Sequence, residues 1–378
     1  MNTSDTVNLL SELISCASVT PADAGAQSIL KSRLSALGAK IVDLPSGEVN
    51  NFWARIGTAS PLLVFYGHTD VVPAGPLEDW QSDPFTATVS DGIITGRGAA
   101  DMKGGVAAFI SAIERFLRRK PDFSGSLGFI ITSGEECGSE HGTPVVVKYM
   151  RDNDIIPDYC IVAEPTSSEV FGDVIKNGRR GSLSGKLVAH GIQGHVAWPD
   201  RCVNPILRMA EAIAQLSTER WDEGNEFFPP TSFQITRLVS NSGADNIVPG
   251  RLEADWNFRY SSASTSQSLI DRVEQILSSS GLQYDVSWHE GAIPVLAQSE
   301  RLIGTLSDII LKHTGIRPRL ATDGGVTDTR HIAPLCPEVL EFGLLSGTIH
   351  KPNEQVSVAS LECLTRIFED LIENLLAE

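Results

Sequence analysis

Apolar residues run in short unbroken stretches through the first half of the chain: Leu62-Leu63-Val64-Phe65-Tyr66-Gly67, Leu127-Gly128-Phe129-Ile130-Ile131-Thr132 and Tyr159-Cys160-Ile161-Val162-Ala163. Stretches of this length that lack polar alternation predict strands buried on both faces. Between them, Val106, Phe109, Ile110, Ile113, Phe116 and Leu117 recur at helical spacing over Gly105 to Arg119, and Pro121 closes that helix. Residues 6–15 predict another helix. Strand and helix alternating in this way imply a mostly parallel sheet covered by helices.

After Gly181 the period changes. Leu252, Ala254, Trp256 and Phe258 alternate with polar residues, which predicts a half-buried strand over 251–260. Residues 183–189, 232–239 and 283–289 also read as strands, and 203–217 and 266–279 as helices. The order β-α-β-β-α-β is that of a ferredoxin-like unit. Beyond residue 295 the earlier pattern resumes and ends in a helix striped by Leu361, Leu364, Ile367, Phe368, Leu371, Ile372 and Leu375. The expected fold class is α/β: a mixed, mostly parallel sheet in a discontinuous domain of residues 1–180 and 295–378, interrupted by an α+β domain over 181–294. A chain of 378 residues is long enough to need more than one core.

Charge narrows the partners. The net charge of −17 argues against a nucleic-acid binder and against attraction to an anionic membrane surface. No apolar stretch of about 18 residues predicts a membrane span. Met1-Asn2-Thr3-Ser4-Asp5 lacks the basic start and apolar core of a signal peptide. Cys16, Cys137, Cys160, Cys202, Cys336 and Cys363 are scattered without a CxxC pair, so reduced thiols and a cytoplasmic location are expected. Cys137 is expected to be a small packing residue.

The candidate chemistry lies where the apolar runs stop. His68 and Asp70 follow the first run, Glu135 and Glu136 the second, and Glu164 the third; His350 comes shortly after Val339-Leu340-Glu341-Phe342-Gly343. Ligands of open α/β sheets bind outside the carboxyl ends of the strands. Nitrogen and oxygen donors gathered there suit zinc or a similar divalent metal. Asp101 follows Gly96-Arg97-Gly98-Ala99-Ala100, a turn just ahead of a helix, which directs its carboxylate to the same edge. His68, Asp101, Glu136, Glu164 and His350 are the expected ligands, a set that suits two zinc ions sharing one bridging carboxylate. Asp70 is expected to accept a hydrogen bond from the free nitrogen of His68, and Glu135 to act as general base. Taken singly these features are ordinary, since a Glu-Glu pair is usually a solvated surface. The Gly-x-Gly is followed by no Gly-Lys-Ser/Thr, so no phosphate loop is expected, and no dinucleotide fingerprint follows a strand.

These residues, in Gly67-His68-Thr69-Asp70-Val71-Val72-Pro73, Trp80 with Asp83-Pro84-Phe85, Gly96-Arg97-Gly98 with Asp101-Met102-Lys103-Gly104, Glu135-Glu136, Glu164-Pro165-Thr166 and His350, resemble the zinc-dependent aminoacylase/carboxypeptidase family of co-catalytic amidohydrolases. The resemblance implies a di-zinc α/β domain carrying an inserted lid that forms a homodimer. It implies that Asp101 bridges the zincs and precedes a cis peptide bond. His68 and Glu164 would complete one site and Glu136 and His350 the other, with cobalt or manganese tolerated in one of them. It further implies that His195 of the lid reaches the partner subunit's active site and stabilises the oxyanion.

Gly172-Asp173-Val174-Ile175-Lys176-Asn177-Gly178-Arg179-Arg180-Gly181-Ser182-Leu183, Gly191-Ile192-Gln193-Gly194-His195 and Asn246-Ile247-Val248-Pro249 resemble the desuccinylase branch of that family. The branch implies that Arg179, Ser182, Asn246, Arg259 and Gly325 hold substrate carboxylates, for which guanidinium groups are suited. The implied substrate is N-succinyl-LL-2,6-diaminopimelate, with acetylornithine-type deacylation or dipeptide hydrolysis as alternatives. Asp323, Val326, Ser346 and Gly347 depart from the branch: Val326 lacks a hydroxyl, and Asp323 adds negative charge beside a pocket expected to bind anions. A binding protein without metal is the reading from another class; it would not require all five ligand positions to be filled.

Overall fold

The computed structural model describes residues 4–138, 140–297 and 300–376, so Met1 to Thr3 of the N-terminal segment lie outside it. The chain divides into two compact units. The first comprises Met1–Asn177, Leu296–Ala321 and Thr327–Glu378, and the second Gly178–Val295 with Thr322–Val326.

The first unit is built on an eight-stranded mixed sheet. In spatial order its strands are Lys40–Asp43, Asn51–Ile56, Ser126–Thr132, Leu62–His68, Tyr159–Val162, Val339–Glu341, Val174–Lys176 and Arg319–Ala321. The two longest apolar runs, Leu62–His68 and Ser126–Thr132, are buried at every position, as strands sandwiched between helices must be. Four adjacent strands, 126–132, 62–68, 159–162 and 339–341, are mutually parallel. Their carboxyl ends therefore open on one edge. The antiparallel strands 40–43 and 51–56 extend one side of the sheet, a feature that apolar runs do not announce.

Helices Lys103–Arg119 and Val358–Leu376 bury their apolar stripes. Phe65 lies between them, stacked on Phe109 at 5.3 Å and edge-on to Phe368 at 5.5 Å. Arg118 and Arg119 occupy the last turn of the first of these helices, where positive charge offsets the helix dipole. A three-stranded ribbon of Gln355–Ser357, Ile93–Thr95 and Thr88–Ser90 ties the segment after His350 to the segment before Asp101. No helix among the described residues is long and apolar enough to cross a membrane.

The second unit has its own core, made by Leu183, Leu187, Trp256, Phe258, Leu269 and Val273 among others. Its four antiparallel strands stand in the order Ser232–Val239, Arg251–Tyr260, Gly181–His190, Gln283–Ala292. Helices Pro205–Thr218 and Ser266–Ser278 complete a β-α-β-β-α-β unit; Asn204 caps the first, and Thr265 forms a capping box with Ser268 on the second.

Two glycines set the end of strand Tyr159–Val162. A Cβ on Gly105 would stand 2.2 Å from the Ala163 carbonyl oxygen, and one on Gly343 2.4 Å from that of Glu164. Both obstacles are backbone and cannot rotate away. Gly105→Ala is expected to destabilise the protein by about 1–3 kcal/mol through overpacking. Gly304→Ala, in a helix where a Cβ meets nothing within 4 Å, is expected to stabilise it by roughly 0.5–1 kcal/mol. Denaturant unfolding followed by circular dichroism checks both; a Gly105→Ala chain as stable as its parent contradicts the packing argument.

Candidate metal centre and active site

The five expected ligands all belong to the first unit, and four come from the parallel strand ends. His68 ends one strand, Glu136 and Glu164 follow the next two, and His350 stands in the loop after Val339–Glu341. Asp101 comes from the turn before helix Lys103–Arg119, and its peptide bond to Met102 is cis.

Asp101 is the centre of the cluster. Its Oδ1 lies 3.2 Å from His68 Nε2 and its Oδ2 3.3 Å from His350 Nε2. Glu164 Oε1 stands 3.7 Å from His68 Nε2, and Glu136 Oε1 3.0 Å from His350 Nε2. One carboxylate thus offers an oxygen to each of two donor groups, His68–Asp101–Glu164 and Asp101–Glu136–His350. Within each group one donor atom per residue lies within 4.8 Å of the others.

The protonation pattern favours cations. His68 Nδ1 lies 2.9 Å from the carbonyl oxygen of Asp70, so that nitrogen carries the proton and donates it. Nε2 therefore faces the cluster; burial opposes a charge on the ring, but Asp101 and then Asp70 raise the His68 pKa well above its ordinary value. His68 Nε2 and Asp101 Oδ1 are both buried and face each other at 3.2 Å without a well-aligned hydrogen bond to any partner. Buried polar atoms in that condition are costly, and a coordinated ion would satisfy both. Burial raises the Glu164 carboxyl well above its ordinary value, and Asp101 nearby adds to the shift. Asp101 moves the other way: burial alone would raise it, but the imidazoles of His350 and His68 hold it below the usual carboxylate range. His350, beside Asp101 and Glu136, is pushed up to about 10. The cluster holds more negative charge than its two imidazoles offset, and this set of nitrogen and oxygen donors fits a pair of divalent ions of the zinc type.

Glu135 shares a donor group with His68 and Glu136. Burial pushes its carboxyl well above the usual range; His68 opposes the shift, and Asp328 and Glu136 add to it. The structure corrects the expectation for Asp70. The main-chain carbonyl of Asp70, not its carboxylate, receives His68 Nδ1; the carboxylate lies 3.5 Å away. It accepts instead from the backbone N–H of Glu136 at 3.1 Å and of Glu135 at 3.4 Å, so it holds the Glu-Glu turn. The bond to the main chain is local, since Thr69 alone lies between His68 and Asp70. Cys137 is exposed rather than packed.

The remaining expected residues lie in the second unit. Arg179 donates from Nη1 to the carbonyl oxygens of Asp323 and Gly325, both at 3.2 Å, so it braces that turn. Ser182 Oγ accepts from Asn257 Nδ2 at 3.1 Å. Arg259 Nη1 and Arg180 Nε are buried without hydrogen-bond partners. Burial, and then proximity to Arg180, lowers the Arg259 pKa. Paired guanidinium groups with spare donors suit an anion. Sequence reasoning passed over Arg180, whose only signal was adjacency to Arg179.

His195 and Asn246 meet on a separate two-stranded ribbon, where His195 pairs with Ile247 and Val196 N–H donates to the Asn246 carbonyl oxygen. His195 is exposed, and its Nδ1 accepts from Ala197 N–H at 3.1 Å. The ring proton of the neutral form therefore sits on Nε2, which makes that atom a donor. Tyr66 and Asp328 were also missed: they are buried and hydrogen-bonded at 2.9 Å, and Asp328 bears electrostatically on Glu135.

The pattern of peptidase family M20/M25/M40 matches residues 64–374. A succinyl-diaminopimelate desuccinylase of Methylobacillus flagellatus is 52% identical over 373 residues, which are 99% of this chain and 100% of the relative. One from Thiobacillus denitrificans is 49% identical over 375 residues, 99% of this chain and 96% of the relative. Among solved structures, an M20 family metallo-carboxypeptidase from Sulfolobus solfataricus has the same fold, with a TM-score of 0.80 at 19% identity, over 98% of this chain and 99% of the other. A dinuclear metal-binding peptidase of the M20 family from Bacillus subtilis aligns at a TM-score of 0.73 and 15% identity, over 98% of this chain and 97% of the other.

Chelator-stripped protein is expected to take up two divalent ions per chain. Asp101→Asn should weaken both, and His350→Ala should leave one ion bound. Equilibrium dialysis with elemental analysis counts them; full occupancy in Asp101→Asn would remove Asp101 from the bridging position.

Proposed function

The chain belongs to peptidase family M20/M25/M40, and on that premise we propose that it hydrolyses N-succinyl-LL-2,6-diaminopimelate to succinate and LL-2,6-diaminopimelate at a di-zinc centre. The observation that carries the reading is Asp101, with one oxygen toward each histidine and Glu135 alongside. The substrate is supported by relatives of that name at 49% and 52% identity over nearly the whole chain.

His68, Asp101 and Glu164 would hold one ion and Asp101, Glu136 and His350 the other. When bound, zinc supplies Lewis acidity, which polarises an amide carbonyl and acidifies a water molecule. Glu135 takes the proton from the attacking water at a carboxylate oxygen. It delivers that proton to the amide nitrogen as the C–N bond breaks, so that a carboxylate and an amine leave. Asp70 keeps Glu135 in place by accepting from the backbone of the Glu-Glu turn. Arg179, Arg259, Ser182, Asn246 and Gly325 are assigned to the substrate's carboxylates, and His195, donating from Nε2, to the oxyanion.

The second unit is assigned as a lid through which two copies dimerise, His195 serving the partner's site. An edge strand supports this: Ser232–Val239 pairs on one side only and ends in exposed Leu238 and Val239. Ile206 and Leu207 are also exposed.

Glu135→Gln is expected to keep its metal and lose about 10²–10⁴-fold in kcat on the succinylated substrate. Steady-state kinetics beside metal analysis measures this, and a variant near the parent rate removes Glu135 as base. A substrate panel tests the acyl group: brisk turnover of acetylornithine with none of the succinylated compound would overturn the substrate assignment.

A further inference from the structure

Glu354 is 1% exposed, lies four residues beyond His350, and takes no part in the acid cluster. Its Oε1 accepts from the backbone N–H of Ala100 at 2.8 Å and of Asp101 at 2.9 Å. Its Oε2 accepts from Gly98 N–H at 3.0 Å and from Arg97 Nη1 at 2.8 Å. Converging main-chain N–H groups form a nest for an anion, and here the anion is a side chain from the loop that carries His350. The carboxylate's acceptor capacity is used in full.

Arg97 closes the other side. It too is 1% exposed. Its Nη1 also donates to the Lys351 carbonyl oxygen at 3.2 Å, and its Nη2 to that of Pro73 at 3.2 Å. The guanidinium lies over the Trp80 ring, 5.2 Å from its centroid. The main chain adds a further tie, from Gly96 N–H to the Glu354 carbonyl oxygen at 2.9 Å. His350 itself has φ +60, a left-handed conformation that a residue with a Cβ keeps only where its surroundings impose it. The clip of Arg97 and Glu354 is such a surrounding: it grips the chain just before Asp101 and just after His350.

We propose that Glu354 is a positioning residue that sets Asp101 and His350 against each other and thereby determines the affinity of the metal position made by Asp101, Glu136 and His350. The proposal rests on the di-metal reading above. It assigns to Glu354 a selective effect, larger at that position than at the one made by His68 and Glu164, which stand on strand ends. Glutamine at this position would turn an NH2 toward N–H donors and release part of the grip.

Stepwise zinc titration of the metal-free parent and of Glu354→Gln, read by competition with a chelating dye, tests it. In the variant one binding step should weaken about 10–100-fold, as loss of an outer-shell partner does, while the other stays nearly unchanged. Excess zinc should restore kcat with KM unaltered. If both steps match the parent's, or both weaken equally, the proposal is overturned. If Glu354→Gln does not fold, Arg97→Lys, which keeps the charge and loses the bridge to Lys351, is read by the same criterion. Slow amide exchange at Gly98, Ala100 and Asp101 is expected in the metal-free parent, and fast exchange there would overturn the proposal on its own. A parent chain that binds no zinc would instead remove the di-metal reading beneath it.

Discussion

Four carboxylates, Asp101, Glu135, Glu136 and Glu164, converge with only two imidazoles to offset them. In a buried setting each unpaired negative charge costs far more than it would in water. The upward shifts of Glu135 and Glu164 are the signature of that cost. Divalent cations relieve it, and the backbone that forces these groups together is therefore what makes the site. In the reading proposed above, the same crowding separates the roles: the residues gathered around Asp101 would coordinate, and Glu135 would move a proton.

The framework that imposes the crowding is rigid by packing. Fully buried parallel strands cannot slide without exposing apolar faces, so their ends hold His68, Glu136 and Glu164 in register. Where helix Lys103–Arg119 and the loop after Val339–Glu341 approach those ends, a side chain would not fit, and Gly105 and Gly343 stand at those points. The two groups that come from loops, Asp101 and His350, lack strand register. The buried Arg97–Glu354 pair, with its main-chain partners, does for them what the sheet does for the others.

Much of this was legible in the residues. The apolar runs ending at His68, Thr132 and Ala163 located the central strands, because a strand buried on both faces has no room for polar alternation. The alternating pattern through Leu252 and Phe258 revealed a different kind of sheet, half-buried, with the order of a ferredoxin-like unit. The edge strands Lys40–Asp43 and Arg319–Ala321 were not legible, since they are short and partly exposed and carry little apolar signal. Glu354 was equally silent: a glutamate in Pro-Asn-Glu reads as surface until the fold closes over it.

Local sequence, acting through period and turn chemistry, determined which segments became strands or helices and which residue types were delivered to their ends. Those properties depend on neighbours a few positions away. Tertiary structure alone decided that Asp101 shares its oxygens between His68 and His350, that the Asp70 main chain rather than its carboxylate orients His68, and that Glu354 fills the nest ahead of Asp101. Each of these joins atoms by direction and distance, often across hundreds of residues, and no periodicity in the chain encodes an angle.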